Sequence, residues 1–153
     1  MIPVTSPFLP DRALLDRYID GIYDRRWLTN NGPLVHELTE RLEAYLGVRN
    51  LLLVGNGTLA LQVAFKLLEL KGQAVTTPFT FAATSSALLW EGVHPRYADI
   101  DPSTFNIDPA SLEQRITGDT SAIVPVHVYG NPCRTDEIEG VASSHGLPVI
   151  YDA

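Results

Sequence analysis

Gly55-Asn56-Gly57-Thr58 stands between an apolar run and a helical pattern, where a glycine turn can meet an anion. Glycines let the backbone come close, and the first N–H groups of a helix have no partner inside it, so they point at what lies ahead. Thr58 adds a hydroxyl donor. The turn also matches formally the Gly55-x-Gly57-x-x-Ala60 pattern of a dinucleotide fingerprint. That fingerprint wants an acid at the end of the next strand, where Thr76-Thr77-Pro78 stands instead. A tight strand-to-helix turn that needs glycine and nothing more is an equally open reading.

Three further stretches carry reactive or recognising groups. Thr77-Pro78-Phe79-Thr80-Phe81 offers rings and hydroxyls, His127-Val128-Tyr129-Gly130 an imidazole and a phenol, and Asp152 a carboxylate. Each has an ordinary use as well: Phe79, Phe81 and Tyr129 as packing, His127 as a satisfied core histidine, Asp152 as the cap of a following helix. Cys133, the single cysteine, follows a proline and has no CxxC partner, which makes it an inert thiol. No His/Cys/Asp cluster has metal-ligand spacing, so no metal site is expected. No Gly-x-Ser-x-Gly nucleophile elbow is present.

These stretches can cooperate only if the chain folds to bring them to one edge, and its hydrophobic pattern predicts that. Helical spacing covers Asp11 to Tyr23, and a second helix opens at Pro33 with Leu34, Leu38, Leu42 and Leu46 on one stripe before Gly47. Leu51 to Val54 is expected as a short apolar strand, Thr58 to Leu70 as a helix and Ala74 to Thr76 as a strand. Next come a helix over Ala82 to Glu91, a strand over Arg96 to Ile100 and a short helix from Asp108-Pro109 to Ile116. The pattern closes with a strand over Ala122 to Val128, a helix over Thr135 to Ser144 and a strand over Pro148 to Tyr151. Strands separated by helices predict an α/β fold with a largely parallel sheet flanked by helices. In such sheets ligands gather beyond the carboxyl ends of the strands, where the glycine turn, Phe81, His127 and Asp152 all fall.

The composition narrows the class. The chain has 153 residues, 45% of them apolar, with 11 Lys+Arg against 18 Asp+Glu and a net charge of −7. That is about one ordinary globular domain, neither disordered nor fibrous. The acidic balance, with Lys66 and Lys71 the only lysines, argues against a nucleic-acid or anionic-membrane surface. Neither a signal peptide nor a membrane-spanning run is visible, and a cytoplasmic location is expected. The chain stops at Asp152-Ala153 directly after its last expected strand, so it is expected to be the front portion of a longer protein.

Taken together, the motifs are more specific than any one of them. The chain resembles the DegT/DnrJ/EryC1/StrS family of sugar aminotransferases, pyridoxal-phosphate-dependent enzymes of fold type I. The resemblance runs through Trp27-Leu28-Thr29-Asn30-Asn31-Gly32-Pro33, Val54-Gly55-Asn56-Gly57-Thr58-Leu59-Ala60-Leu61 and Thr77-Pro78-Phe79-Thr80-Phe81-Ala82-Ala83-Thr84. It continues through Tyr97-Ala98-Asp99-Ile100-Asp101, Pro125-Val126-His127-Val128-Tyr129-Gly130 and Val149-Ile150-Tyr151-Asp152-Ala153. It implies that residues 1–153 are the N-terminal part of the cofactor-binding large domain. By the same resemblance Gly57 and Thr58 hold the phosphate of pyridoxal 5'-phosphate, Phe81 stacks on its ring, and Asp152 pairs with the pyridine nitrogen. The four are expected to line one cleft. The implied substrates are a nucleotide-linked keto sugar and an amino donor, glutamate, and the implied assembly is a homodimer.

The family's Schiff-base lysine lies beyond the aspartate strand, and neither Lys66 nor Lys71 occupies its place. No catalytic residue is therefore assigned within these residues, and the isolated chain is expected to be inactive as a transaminase and prone to associate. Two other functions stay open: a sugar dehydratase of the same fold, in which histidine replaces that lysine, and a non-catalytic nucleotide-binding or regulatory module.

Overall fold

The computed structural model describes residues 5–153. The described residues divide into two units, 5–53 and 54–153. In the first, helix α1 (Arg12–Arg25) is capped by Asp11, whose carboxylate accepts from the Leu14 N–H at 2.9 Å. Helix α2 (Pro33–Leu46) starts with proline in its first turn and ends at Gly47, whose φ of 67° is the left-handed stop expected there. The Tyr18 hydroxyl meets Glu37 at 3.0 Å and so ties α1 to α2, with Arg41 on the same carboxylate at 3.3 Å.

The second unit is the α/β body. Its elements are α3 (Gly57–Leu67), β1 (Gln73–Thr76), α4 (Ala83–Trp90), β2 (His94–Tyr97), α5 (Pro109–Arg115), β3 (Thr120–Val124) and α6 (Thr135–His145). The three strands are parallel in the order β2-β1-β3. Period-2 alternation sorts their side chains to two covered faces. Ala74, Ala122 and Val124 pack with Leu61 and Phe65 of α3 and with Ala87 and Leu88 of α4. Val75 and Ile123 pack with Leu112 of α5 and with Ile138 and Ala142 of α6. The expected parallel sheet with helices on both sides is therefore present. Pro95 sits opposite Ala74 in β2, the edge strand, where a missing N–H costs no rung.

Several boundaries differ from the sequence expectation. Residues 51–54 form no strand: no segment among the described residues pairs with them, and Leu52 is 65% exposed. An apolar run becomes a strand only when a partner takes its N–H and C=O groups. Helix α3 stops at Leu67 rather than Leu70, because Glu69 turns into the left-handed region at φ 51°. Strand β2 begins two residues earlier than expected and ends at Tyr97; Ile100 instead bridges antiparallel to Ile107.

Strand β3 ends at Val124 rather than Val128, and the expected last strand meets it only through the bridges Ile123↔Val149 and Val126↔Asp152. Proline explains both. Ile123 N–H donates to Pro148 O, Ile150 N–H to Ile123 O, Asp152 N–H to Pro125 O and His127 N–H to Asp152 O, at 2.9–3.0 Å. The one rung missing from this parallel ladder is the N–H that Pro125 lacks. Segment 148–152 thus runs alongside β3 and delivers Asp152 to the carboxyl end of the sheet.

Gly72 is the glycine the fold depends on. Its φ is 63°, and a Cβ there would lie 2.6 Å from the Asp119 carbonyl oxygen, on backbone that joins the start of β1 to that of β3. Gly72→Ala is expected to destabilise the protein by more than about 1 kcal/mol, read as a lowered denaturant midpoint. An unchanged midpoint would mean that this junction yields easily.

Candidate functional site

The strand order decides where a site can form. The chain leaves β1 toward β2 on one side, then crosses to β3 on the other, so the loops after β1 and β3 diverge and leave a crevice. A cleft of about 440 Å³ lies there, lined by Pro78, Phe79, Thr80 and Phe81 after β1 and by Val126, His127, Val128 and Tyr129 after β3. Phe81 is 83% exposed and Tyr129 88% exposed, so neither ring serves as core. Phe79 bridges the two aromatic groups, stacked on Phe105 at 5.4 Å and edge-on to Tyr129 at 6.2 Å.

The β3 side of the cleft is held rigidly from beneath. Tyr129 adopts a φ of 54°, a strained conformation for a bulky residue, inside a short 3-10 turn (Val128–Gly130). Asn106 is buried and accounts for that turn: its amide donates to the Asn131 and Pro132 carbonyls at 3.0 Å, and its oxygen accepts from the Val128 N–H at 3.0 Å. His127 Nδ1 accepts from the Cys133 N–H at 3.1 Å, which leaves the ring proton of the neutral imidazole on Nε2. The same ring stacks on Tyr151 at 5.0 Å. Burial pushes the Tyr151 phenol above its ordinary value, and the negative charge of Glu139 adds to that.

Cys133, expected from its sequence setting to be an inert thiol, is shielded by the fold. It is buried, its Sγ lies 3.1 Å from the Val126 carbonyl, and burial pushes its thiol up. At neutral pH almost no thiolate is present, so Ellman's reagent is expected to label the folded chain far more slowly than the unfolded one. Equal rates would contradict the buried placement.

Asp152 is fixed at both backbone and side chain. Its N–H and C=O are rungs to Pro125 and His127, and its Oδ2 accepts from Thr84 Oγ1 at 2.6 Å. Oδ1 has no hydrogen bond among the described residues. Thr84 in turn meets Thr80, a cleft residue, at 2.8 Å. Asp152 is thereby joined to both walls of the cleft, its backbone carbonyl to the His127 N–H and its carboxylate through Thr84 to Thr80, although it is not itself among the lining residues.

The glycine turn is exposed at Gly55, Asn56 and Gly57. Asn56, not a glycine, is the N-cap of α3, and its side chain takes the Leu59 N–H at 2.9 Å. Ala60 N–H bonds back to Asn56 O, so Gly57 and Thr58 keep their N–H groups unpaired among the described residues. A Cβ on Gly57 would meet nothing within 4 Å. Gly57 and Thr58 do not, however, line the cleft between the two loops. Of the four residues expected to line one cleft, only Phe81 does so; Gly57, Thr58 and Asp152 do not, because the walls are built by the loops after β1 and β3 alone. Sequence reasoning misses Thr84, Asn106 and Asn56, which aim the others. Asn56 three residues before the Leu59 N–H is a visible capping signal; Thr84 and Asn106 act on residues distant in the chain.

Comparison with known proteins decides what this scaffold is. The model of the DegT/DnrJ/EryC1/StrS aminotransferase family matches residues 12–153. The chain belongs to that family. It is 48% identical over 152 residues to the dTDP-4-amino-4,6-dideoxy-D-glucose transaminase of Escherichia coli, covering 99% of this chain and 41% of that protein. The structure of DesI in the presence of its TDP-sugar product superposes with a TM-score of 0.88 at 43% identity, over 94% of this chain and 36% of DesI. NtdA from Bacillus subtilis with bound cofactor PMP gives 0.86 at 30% identity, over 100% of this chain and 37% of NtdA. The chain spans about two fifths of the length of such family members, and its sheet and flanking helices are those of a fold type I aminotransferase. Among its described residues no helix is long and apolar enough to cross a membrane, and no cluster of His, Cys, Asp and Glu could hold a metal ion.

Proposed function

We propose that residues 1–153 form the front part of the cofactor-binding domain of a pyridoxal-phosphate-dependent enzyme that transfers an amino group to a nucleotide-linked keto sugar. Family membership and the transaminase activity of the Escherichia coli relative support the reaction class. The observation that carries the site is Asp152, a carboxylate clamped at a strand end with one oxygen still free.

The residues present fit the cofactor. Unpaired N–H groups at Gly57 and Thr58, with open space at Gly57 and the positive end of the α3 dipole, suit a phosphate. The exposed ring of Phe81 offers a flat apolar face for the pyridine ring. Asp152 Oδ1, which has no partner among the described residues, would accept from the ring N–H of a bound cofactor and favour its protonated form. When bound, the cofactor supplies an electron sink for bond breaking at the amino-bearing carbon. The chain's own residues would hold it: Gly57 and Thr58 at its phosphate, Phe81 on its ring and Asp152 at its ring nitrogen. Glutamate as amino donor, a homodimer and a cytoplasmic location belong to the same proposal.

Thr58→Ala in the full-length protein tests the phosphate end. Loss of a hydroxyl donor to an ionised oxygen is worth roughly 1.5–3 kcal/mol, so cofactor affinity titrated by absorbance is expected to fall by about 10- to 150-fold. Unchanged affinity would reduce the glycine turn to a connector.

A further inference from the structure

Thr84 lies in the first turn of α4, is 1% exposed, and has oxygens on three sides. Asp152 Oδ2 is at 2.6 Å, Thr80 Oγ1 at 2.8 Å and the Phe81 carbonyl at 3.3 Å. A hydroxyl has one proton to give, and an ionised carboxylate can only accept. The short, charge-assisted contact takes that proton, so Thr84 donates to Asp152. Toward Thr80 it must then accept, which makes Thr80 the donor. The order of protons along Thr80, Thr84 and Asp152 thus follows from the short contact to the carboxylate together with the single proton each hydroxyl has to give. Thr84 also donates its backbone N–H to the Phe81 carbonyl at 3.2 Å. One residue therefore holds both the carboxylate and the backbone that carries the stacking ring.

We propose that Thr84 is a positioning residue for the reaction. It occupies Asp152 Oδ2, locks the carboxylate in one orientation and leaves Oδ1 as the single acceptor for the ring nitrogen. Thr80 polarises Thr84 from the cleft side and strengthens that grip. This rests on the cofactor reading of Asp152 given above, and the test separates the two.

The experiment uses the full-length protein carrying Thr84→Val, which keeps shape and removes the hydroxyl, Thr84→Ser, which keeps the hydroxyl, and Asp152→Asn as reference. Two quantities are read: cofactor affinity by absorbance, and the 15N resonance of the ring nitrogen in cofactor labelled at that atom. Thr84→Val is expected to weaken affinity about 5- to 20-fold and move the resonance toward the unprotonated position. Thr84→Ser is expected to restore both to within about threefold of the parent. Packing alone would not make the resonance track the hydroxyl. If Asp152→Asn disturbs both readouts while Thr84→Val leaves both at parental values, Thr84 has no positioning role. If Asp152→Asn itself changes neither, the cofactor reading falls and this inference with it. Should Thr84→Val fail to fold, Thr84→Ala against Thr84→Ser gives the same contrast, and equal behaviour of those two overturns the proposal.

Discussion

Asp152→Asn in the full-length protein is expected to cut turnover on the order of 10²- to 10³-fold, the size found when one preorganised electrostatic group is removed from a reaction centre. The substitution keeps the shape of the side chain and an oxygen for Thr84, which donates to it at 2.6 Å. The backbone rungs to Pro125 and His127 do not involve the side chain, so the strand end should stay in place. The change removes the negative charge that would face the pyridine nitrogen, together with its preference for the protonated ring. Cofactor affinity should drop as well, by about 10- to 150-fold, for a hydrogen bond to a charged group worth roughly 1.5–3 kcal/mol. Steady-state kinetics with a keto sugar substrate and an absorbance titration measure the two. If Asp152 only ends a strand and caps a helix after it, both values stay near parental and only stability moves.

Gly57→Leu should separate folding from binding. Nothing lies within 4 Å of a Cβ at this position, and Gly57 is the first residue of α3, capped by Asn56 rather than by itself. Replacing a glycine whose backbone suits an ordinary residue stabilises by roughly 0.4–1 kcal/mol through the unfolded chain, so the thermal midpoint should hold or rise. The bulky side chain nevertheless blocks the approach of an anion to the N–H groups of Gly57 and Thr58. Losing two hydrogen bonds to an ionised phosphate, at roughly 1.5–3 kcal/mol each, lowers affinity by on the order of 10²- to 10⁴-fold. A glycine needed only for the turn predicts the reverse pattern: a lowered midpoint and untouched cofactor affinity.

The division between local and distant causes explains what could be read from the chain alone. Helix starts were legible because each is written in a few adjacent residues: Asp11 before α1, Pro33 in α2, Asp108-Pro109 at α5. The layered α/β plan was legible because alternating apolar segments leave a sheet with two faces to cover, and α3, α4, α5 and α6 cover them. The motif set pointed to the family, since order and spacing of motifs survive in the linear chain. Whether an apolar run is a strand depends on a partner, and residues 51–54 found none among the described residues, while Pro125 removed one rung at the end of β3. The aim of Asp152 depends on Thr84, 68 residues away in sequence and 2.6 Å away in space. The Tyr129 turn depends on Asn106, and the tautomer of His127 on the Cys133 N–H. A hydrogen bond specifies distance and direction, and neither is encoded in residue type or short-range spacing. The sequence therefore determined the layers and the candidate groups, and only the tertiary structure decided which oxygen of Asp152 is held and which is free.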